Sequence, residues 1–296
     1  MIVIENAEGI RIHAKGKPRV LVPTMGALHP GHGRLISHGR SLAGEDGSLI
    51  VSIFVNPTQF GPEEDFTAYP RAPQEDQSLC SAAGTDILFR PPVEEMYHDL
   101  DGPGLSADAR LIGTLCGPDR PGHFDGVCTV VEKLFRVIKP DIAVFGKKDY
   151  QQLTVIQQMT RELKLPVQVI GAETVREEDG LAMSSRNRYL NPKQRSQAPA
   201  VYKALQKIRE HGSPESSVRI EAARDIITRE APLGKISYLQ VVDRQTMQEI
   251  KTIDRPALAA AAVHFGKARL IDNIEIGPIP RPMTEADRSI DHLNQF

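Results

Sequence analysis

The feature that most constrains this chain is a plan repeated through its first half: a short apolar run rich in β-branched residues, a loop, then a helical stretch. Arg19 to Val22 leads into Pro23-Thr24-Met25-Gly26. Leu49 to Val55 leads into Asn56-Pro57-Thr58-Gln59. Asp86 to Phe89 leads into Arg90-Pro91-Pro92, and Asp141 to Phe145 into Gly146-Lys147-Lys148-Asp149. Val167 to Ile170 is a further run that follows a helix. Near-continuous apolar strands alternating with helices predict a parallel sheet covered on both faces. One helix is legible from its period: Val127, Val130, Val131, Leu134, Phe135 and Ile138 recur at three- and four-residue steps. Lys139-Pro140 ends it, because proline cannot continue the hydrogen-bond ladder. The next carries Leu153, Ile156, Met159, Thr160 and Leu163, and stops at Pro166.

In an open parallel sheet, ligands bind beyond the carboxyl ends of the strands. The loops just named sit at those ends, so the strand pattern alone gathers His29, His32, Asn56, Gln59, Lys148 and Asp149 at one rim. Past about Glu173 the character changes. Arg176 to Gly180 is a charged turn, helical segments run from Gln194 to Gly212 and Ser217 to Glu230, and strands are expected at Ile236 to Val242 and Ala260 to Phe265. Arg269 to Asn273 closes this part. The expected fold is therefore α/β, with a first domain at 1–174, a smaller α+β domain at 175–281, and a polar tail at 282–296.

The length, 296 residues, suits two domains better than one small core. A formal net charge of -2 gives no basic excess for nucleic acid. No apolar run approaches the ~20 residues that span a bilayer, and the start lacks the pattern of a secretory signal. Cys80, Cys116 and Cys128 match no zinc or redox spacing, and so sparse a set fits a reducing cytoplasm.

The sharpest motif is Thr24-Met25-Gly26-Ala27-Leu28-His29-Pro30-Gly31-His32, which follows a strand and opens a helix. Free N–H groups at a helix start attract anions, and Gly31 permits close approach to the backbone. Two histidines three apart share one side of the first turn and can donate to a phosphoryl oxygen. Against this stand a capping role and a zinc site, which would need a third ligand such as His123. Gly146-Lys147-Lys148-Asp149 suits phosphate contact but also describes a solvated loop. Met183-Ser184-Ser185-Arg186 can hold a polyphosphate through charge-assisted bonds, or simply cap a helix. Asn56 and Gln59 present two carboxamides, both expected, with Gln152, to bind substrate. Arg120 and His123, in a Gly- and Pro-rich stretch, suggest either a lid or a stiff connector. Glu75 and Asp76 either hold magnesium or satisfy a helix dipole.

Together and in this order, these segments resemble the pantothenate synthetase family, within the wider superfamily that carries His-x-Gly-His. The match runs from about Pro18 to Asn273 and includes Phe54 to Gly61, Asp65 to Arg71, Arg120 to Phe124, Phe145 to Gln152 and Met183 to Arg186. The resemblance implies a Rossmann-like first domain and a magnesium-dependent, cytoplasmic homodimer. It implies that the chain condenses pantoate with β-alanine through a pantoyl adenylate, at the expense of ATP, releasing AMP and pyrophosphate. By it, Met25 to His32 would bind ATP, with His32 catalytic. Gly146, Lys147, Lys148, Asp149, Val175, Met183, Ser184, Ser185 and Arg186 would complete the nucleotide site, and Gln59 and Gln152 would hold pantoate. A carboxylate does not react with an amine at neutral pH, so the site must stabilise charge on the α-phosphate and shield the adenylate from water. His29, His32 and Lys148 suit the first task. The alternatives are a nucleotidyltransferase with a phosphate acceptor and a non-catalytic nucleotide-binding regulator. Pro30 and Gly33 depart from the family pattern, and Gly33 is expected to loosen the helix that carries His32.

Overall fold

The computed structural model describes residues 1–61, 66–67, 69–97 and 104–278. Asp65 of the family motif and the expected tail at 282–296 lie outside them. The chain opens with β1 (Ile2–Ile4) and α1 (Ala7–His13), then β2 (Arg19–Thr24), α2 (Pro30–Ala43) and β3 (Ser48–Ile53). It continues with α3 (Pro73–Ala82), β4 (Ile87–Phe89), the short α4 (Val93–Met96) and α5 (Ala109–Ile112), and the long α6 (His123–Ile138). β5 (Ile142–Gly146), α7 (Tyr150–Glu162) and β6 (Gln168–Ala172) complete a six-stranded sheet of order β1-β4-β3-β2-β5-β6. Its strand pairs are all parallel.

Alternation along the strands explains why both faces are covered. Val20, Val22, Leu49, Val51, Leu88 and Val144 meet Ile36, Ala43 and Cys80 of α2 and α3 on one face. Leu21, Ile50, Ile87, Phe89, Ala143 and Phe145 meet α6 and α7 on the other. Each of the valine, leucine, isoleucine and phenylalanine side chains, fully buried, is worth about 1.5–3 kcal/mol. The apolar faces of the sheet therefore decide where the helices lie.

Strands are added outward from the centre, β3 and β4 on one side of β2, and β5 and β6 on the other. The crevice at the carboxyl ends of β2 and β5 is thus the switch point where ligands bind in such sheets.

The second unit holds α8 (Pro192–Gln197), α9 (Ala200–Glu210), α10 (Ser216–Glu230) and an antiparallel sheet of β7 (Lys235–Asp243), β8 (Ala257–Phe265) and β9 (Ala268–Ile276). Ala259, Ala261, Val263 and Phe265 of β8 pack with α9 and α10, whereas Leu258 and Ala260 join the core of the first sheet.

Three elements differ from expectation. The helix expected from Gln194 to Gly212 is broken at Pro199, which cannot donate to the preceding turn. Arg269 to Asn273, expected only to close the second unit, lies within a nine-residue strand. β1 is three residues at the sheet edge, too short to carry a periodicity.

The departures at α2 also have a structural account. Pro30 occupies the first helical position, where the missing N–H costs nothing. Gly33 does not break the helix, and a Cβ there would meet only Leu79 at 3.7 Å, an ordinary contact. Gly33→Ala should therefore stabilise the protein by about 0.5–1 kcal/mol. A thermal melt checks this; an unchanged or lower midpoint would show that the position demands glycine.

Candidate functional site

The loop after β2 turns sharply into α2. Gly26 and Ala27 both lie in the left-handed region, at φ 81 and 50. This directs two consecutive amides at one carboxylate: Asp76, buried at the start of α3, accepts from Ala27 N at 3.0 Å and Leu28 N at 2.7 Å. Glu75 is exposed on the same helix. The two acidic residues are thus not brought together as a metal pair, because Asp76 is turned inward to anchor the loop.

The helix start differs from expectation in a second way. His29 is the N-cap of α2; its Nδ1 accepts from Gly31 N at 3.2 Å, while His32 Nδ1 accepts from His29 N at 3.2 Å. The backbone N–H groups of His32 and Gly33 bond to the carbonyl of His29. The amides expected to greet a phosphate are therefore spent within the turn, and the task falls to side chains. A Cβ on Gly31 would lie 2.9 Å from the His29 ring, so glycine is what lets that ring fold over the turn. With each Nδ1 accepting, the neutral rings carry their proton on Nε2. The two rings stand 4.0 Å apart. Burial, then the charges of Lys148 and Arg188, lower the pKa of His29 to about 4. Burial, then His29 and Lys148, lower that of His32 to about 3. At neutral pH the pair consists of two uncharged donors.

A cavity of about 540 Å³ lies over this turn. Met25, His29, Gly31, His32, Asn56, Gln59, Gly146, Lys148, Asp149, Gln152, Val175 and Met183 to Arg186 line it. Gly26, Ala27, Leu28, Pro30 and Lys147 do not, although the motif reading grouped them with the nucleotide site. Gly26 and Ala27 are buried behind the wall, and Pro30 points to solvent. Lys147 faces away, paired with Glu173 and, at 3.4 Å, with Glu275. Of the two adjacent glutamines, Gln152 faces the cavity. Gln151 is buried and holds the 111–116 segment through Leu111 O, Thr114 O and Cys116 N.

Gln59 lines the cavity with one protein partner at each amide atom. Its Oε1 accepts from Asn56 Nδ2 at 3.1 Å and its Nε2 approaches Met25 Sδ at 3.0 Å. Asn56 is committed to protein partners: Nδ2 also donates to Gly126 O, and Oδ1 accepts from Tyr97 OH and Thr58. Its geometry is that of a support for Gln59, not of a second substrate hand. The turn with Arg120 and His123 is likewise anchored. His123 is buried, its Nδ1 lies 2.8 Å from Gln59 O, and its Nε2 lies 2.9 Å from Arg120 Nη1. Because an arginine can only donate, His123 Nδ1–H must be the donor to Gln59. These residues clamp the wall of the cavity instead of forming a detached lid. Gly126 permits the contact, since a Cβ there would sit 2.4 Å from Thr58 O. Asp76, Tyr97 and Gly126 carry no sequence signal for these roles, because their partners lie 39 or more positions away along the chain.

A second cavity of about 830 Å³ adjoins the first and shares Lys148, Asp149, Gln152, Ser184 and Arg186 with it. Its far wall is formed by β7, β8 and β9. Among the described residues, no three His, Cys, Asp or Glu side chains gather to hold a metal ion, and no helix is long and apolar enough to cross a membrane.

Comparison with known proteins bears on this geometry. The family model for pantoate-beta-alanine ligase matches residues 3–275. The pantothenate synthetase of Akkermansia muciniphila is 48% identical over 270 residues, which cover 90% of this chain and 95% of that protein. The one from Desulfovibrio desulfuricans is 46% identical over 265 residues, covering 88% and 93%. The crystal structure of pantothenate synthetase from Thermus thermophilus superposes with a TM-score of 0.88 at 41% identity, over 94% of this chain and 100% of that one. The pantoate-beta-alanine ligase of Francisella tularensis, complexed with beta-gamma ATP and β-alanine, does so with a TM-score of 0.76 at 32% identity and the same coverage.

Proposed function

The chain belongs to the pantoate–β-alanine ligase family, and from that premise we propose how its cavity carries out the ATP-dependent ligation of pantoate to β-alanine. The reaction runs in two halves at one site. The pantoate carboxylate attacks the α-phosphorus of ATP, and pyrophosphate leaves. The amine of β-alanine then attacks the acyl carbon of the pantoyl adenylate, and AMP leaves with the electron pair of the broken C–O bond. The observation that carries this reading is the pair of imidazoles at the cavity beside Lys148 whose Nδ1 atoms each accept a backbone N–H, which puts the proton of the neutral ring on Nε2. Such donors bind an oxygen more strongly as it gains charge, which favours the transition state over the bound substrate.

His32, His29 and Lys148 act on the α-phosphate, and Ser184, Ser185 and Arg186 on the departing pyrophosphate. Gly146, Asp149, Val175 and Met183 form the rest of the nucleotide wall, which the main chain of Met25 to Leu28 backs. Gln59 and Gln152 take the pantoate hydroxyls without adding charge. Residues 1–174 bind both substrates and 175–281 close over them. Magnesium fits as an ion carried on the phosphates of ATP, since it takes one or two carboxylates and keeps its waters. Asp149, exposed at the rim of both cavities, would hold it there, and bound magnesium would neutralise phosphate charge. The active form is a homodimer in the cytoplasm, a reducing compartment that suits three free, buried cysteines.

One experiment tests the order of events and the pantoate site together. Pyrophosphate should appear from ATP and pantoate before any amine is added. Gln59→Ala should lower kcat/KM for pantoate in that half-reaction by about 10- to 100-fold, since an unpaired polar group in a closed site costs roughly 1–3 kcal/mol. ATP binding should hardly change. No pyrophosphate until β-alanine arrives would rule out the adenylate. An equal loss for both ligands would assign Gln59 to the scaffold.

A further inference from the structure

The nucleotide wall is held from behind by β9. Asp272 and Asn273 are consecutive on that strand, so their side chains leave opposite faces. Asp272 is buried and receives the Arg176 guanidinium at two points, 2.6 and 2.9 Å. Arg176 directly follows Val175 of the cavity wall, and its guanidinium lies 3.6 Å over the Tyr202 ring. Asn273 reaches the other way. Its Nδ2 donates to the backbone carbonyls of Lys147 at 3.0 Å and Lys148 at 2.8 Å.

The lysine turn needs such support. It is a single three-residue turn, Lys147–Asp149, with no side-chain cap at Gly146. Lys148 lines both cavities, and its ammonium stands 3.8 Å from Asp149, too far for a hydrogen bond, so the position of its backbone sets what it can reach. One amide nitrogen with two hydrogens serves both carbonyls of the turn. Aspartate, the same size, has no proton to give and would set a charge against two carbonyl oxygens.

We propose that Asn273 is a positioning residue for adenylate formation, fixing the backbone from which Lys148 reaches the α-phosphate. The inference rests on the role given to Lys148 above. Asn273→Asp should lower kcat for pyrophosphate release from ATP and pantoate by about 10- to 100-fold, the cost of a displacement on the order of 1 Å at a reacting group. KM for pantoate should move less than kcat, because Gln59 sits on another loop and Gln152 is carried by the regular helix α7 rather than by the turn. In a Lys148→Ala background the same change should cost less than about twofold more, since residues that act through one another are not additive. Asn273→Ala, which removes the donors without adding charge, repeats the cycle should the aspartate variant not fold. If Lys148→Ala alone leaves pyrophosphate release intact, the role of Lys148 is wrong and the inference falls with it. If Lys148→Ala is impaired but the Asn273 loss is absent, or multiplies in full on top of it, Asn273 is scaffold only and the inference alone is overturned.

Discussion

His32→Ala should cut pyrophosphate release from ATP and pantoate by about 10²–10³, the usual cost of losing one preorganised donor to a developing charge. The geometry supports a loss in turnover rather than in ATP binding. The His32 ring is held through Nδ1 by the amide of His29, leaving Nε2–H toward the cavity. Its pKa of about 3 keeps it uncharged, so it offers bound ATP no net positive charge. Starting from pantoyl adenylate and β-alanine, the variant should be far less impaired, because no pentavalent phosphorus forms in that half-reaction. A lowered pKa means the neutral ring persists as pH falls until the shifted value is approached. In the ATP-free protein, nitrogen-15 NMR should thus show His29 and His32 as neutral Nε2–H tautomers from pH 8 down to about 5. A ring titrating near 6.5 would show that the ring is less desolvated than its burial implies, and a variant slowed equally in both halves would remove His32 from its catalytic role. Alanine also deletes the acceptor for His29 N, so a melting curve must accompany the kinetics to separate lost capping from lost catalysis.

How much of this was legible in the sequence follows from how far apart the interacting residues lie. The parallel sheet was readable because its signal is local: each apolar run with its loop, such as Arg19 to Gly26, announces both a strand and the rim where a site forms. The side chains at that rim, His29, His32, Gln59, Lys148 and Arg186, do line one cavity. What each side chain does there was less legible. Whether Lys147 or Lys148 faces inward depends on a three-residue turn whose carbonyls are gripped from position 273. Asn56 and Gln59 look equivalent as carboxamides and both line the cavity, yet Tyr97, Thr58 and Gly126 claim the amide of the first, whereas the second has one side-chain partner at each amide atom. Arg120 and His123 read as a lid because glycine and proline surround them. In space they grip the main chain of Gln59. Hydrogen bonds across 40 or more positions have no periodicity, so only the folded chain reveals them.

Asp76→Ala should cost more than any surface acid normally does, in stability if the loop keeps its shape and in chemistry if it relaxes. Asp76 offers a position for magnesium when read as half of an acidic pair, but its buried carboxylate accepts from two consecutive amides of a loop whose Gly26 and Ala27 are left-handed. Left-handed backbone at a residue other than glycine costs on the order of 1–3 kcal/mol and persists only where the surroundings enforce it. The carboxylate is what enforces it here. Removing it leaves two buried N–H groups unpaired, at about 1–3 kcal/mol each. A destabilisation of about 2–6 kcal/mol follows, unless the loop relaxes to find other partners. If it relaxes, Met25 and His29 move with it, and adenylate formation should fall by about 100-fold, as for a reacting group displaced by ~1 Å. Asp76→Asn retains one acceptor and turns an NH₂ toward the other amide, so it should fall between the two. Urea unfolding and the magnesium dependence of the first half-reaction, measured on the same variants, decide the matter. A variant with wild-type stability whose only defect is a raised magnesium requirement would restore Asp76 to the metal. Lost stability with an unchanged magnesium requirement makes it the anchor of the nucleotide loop.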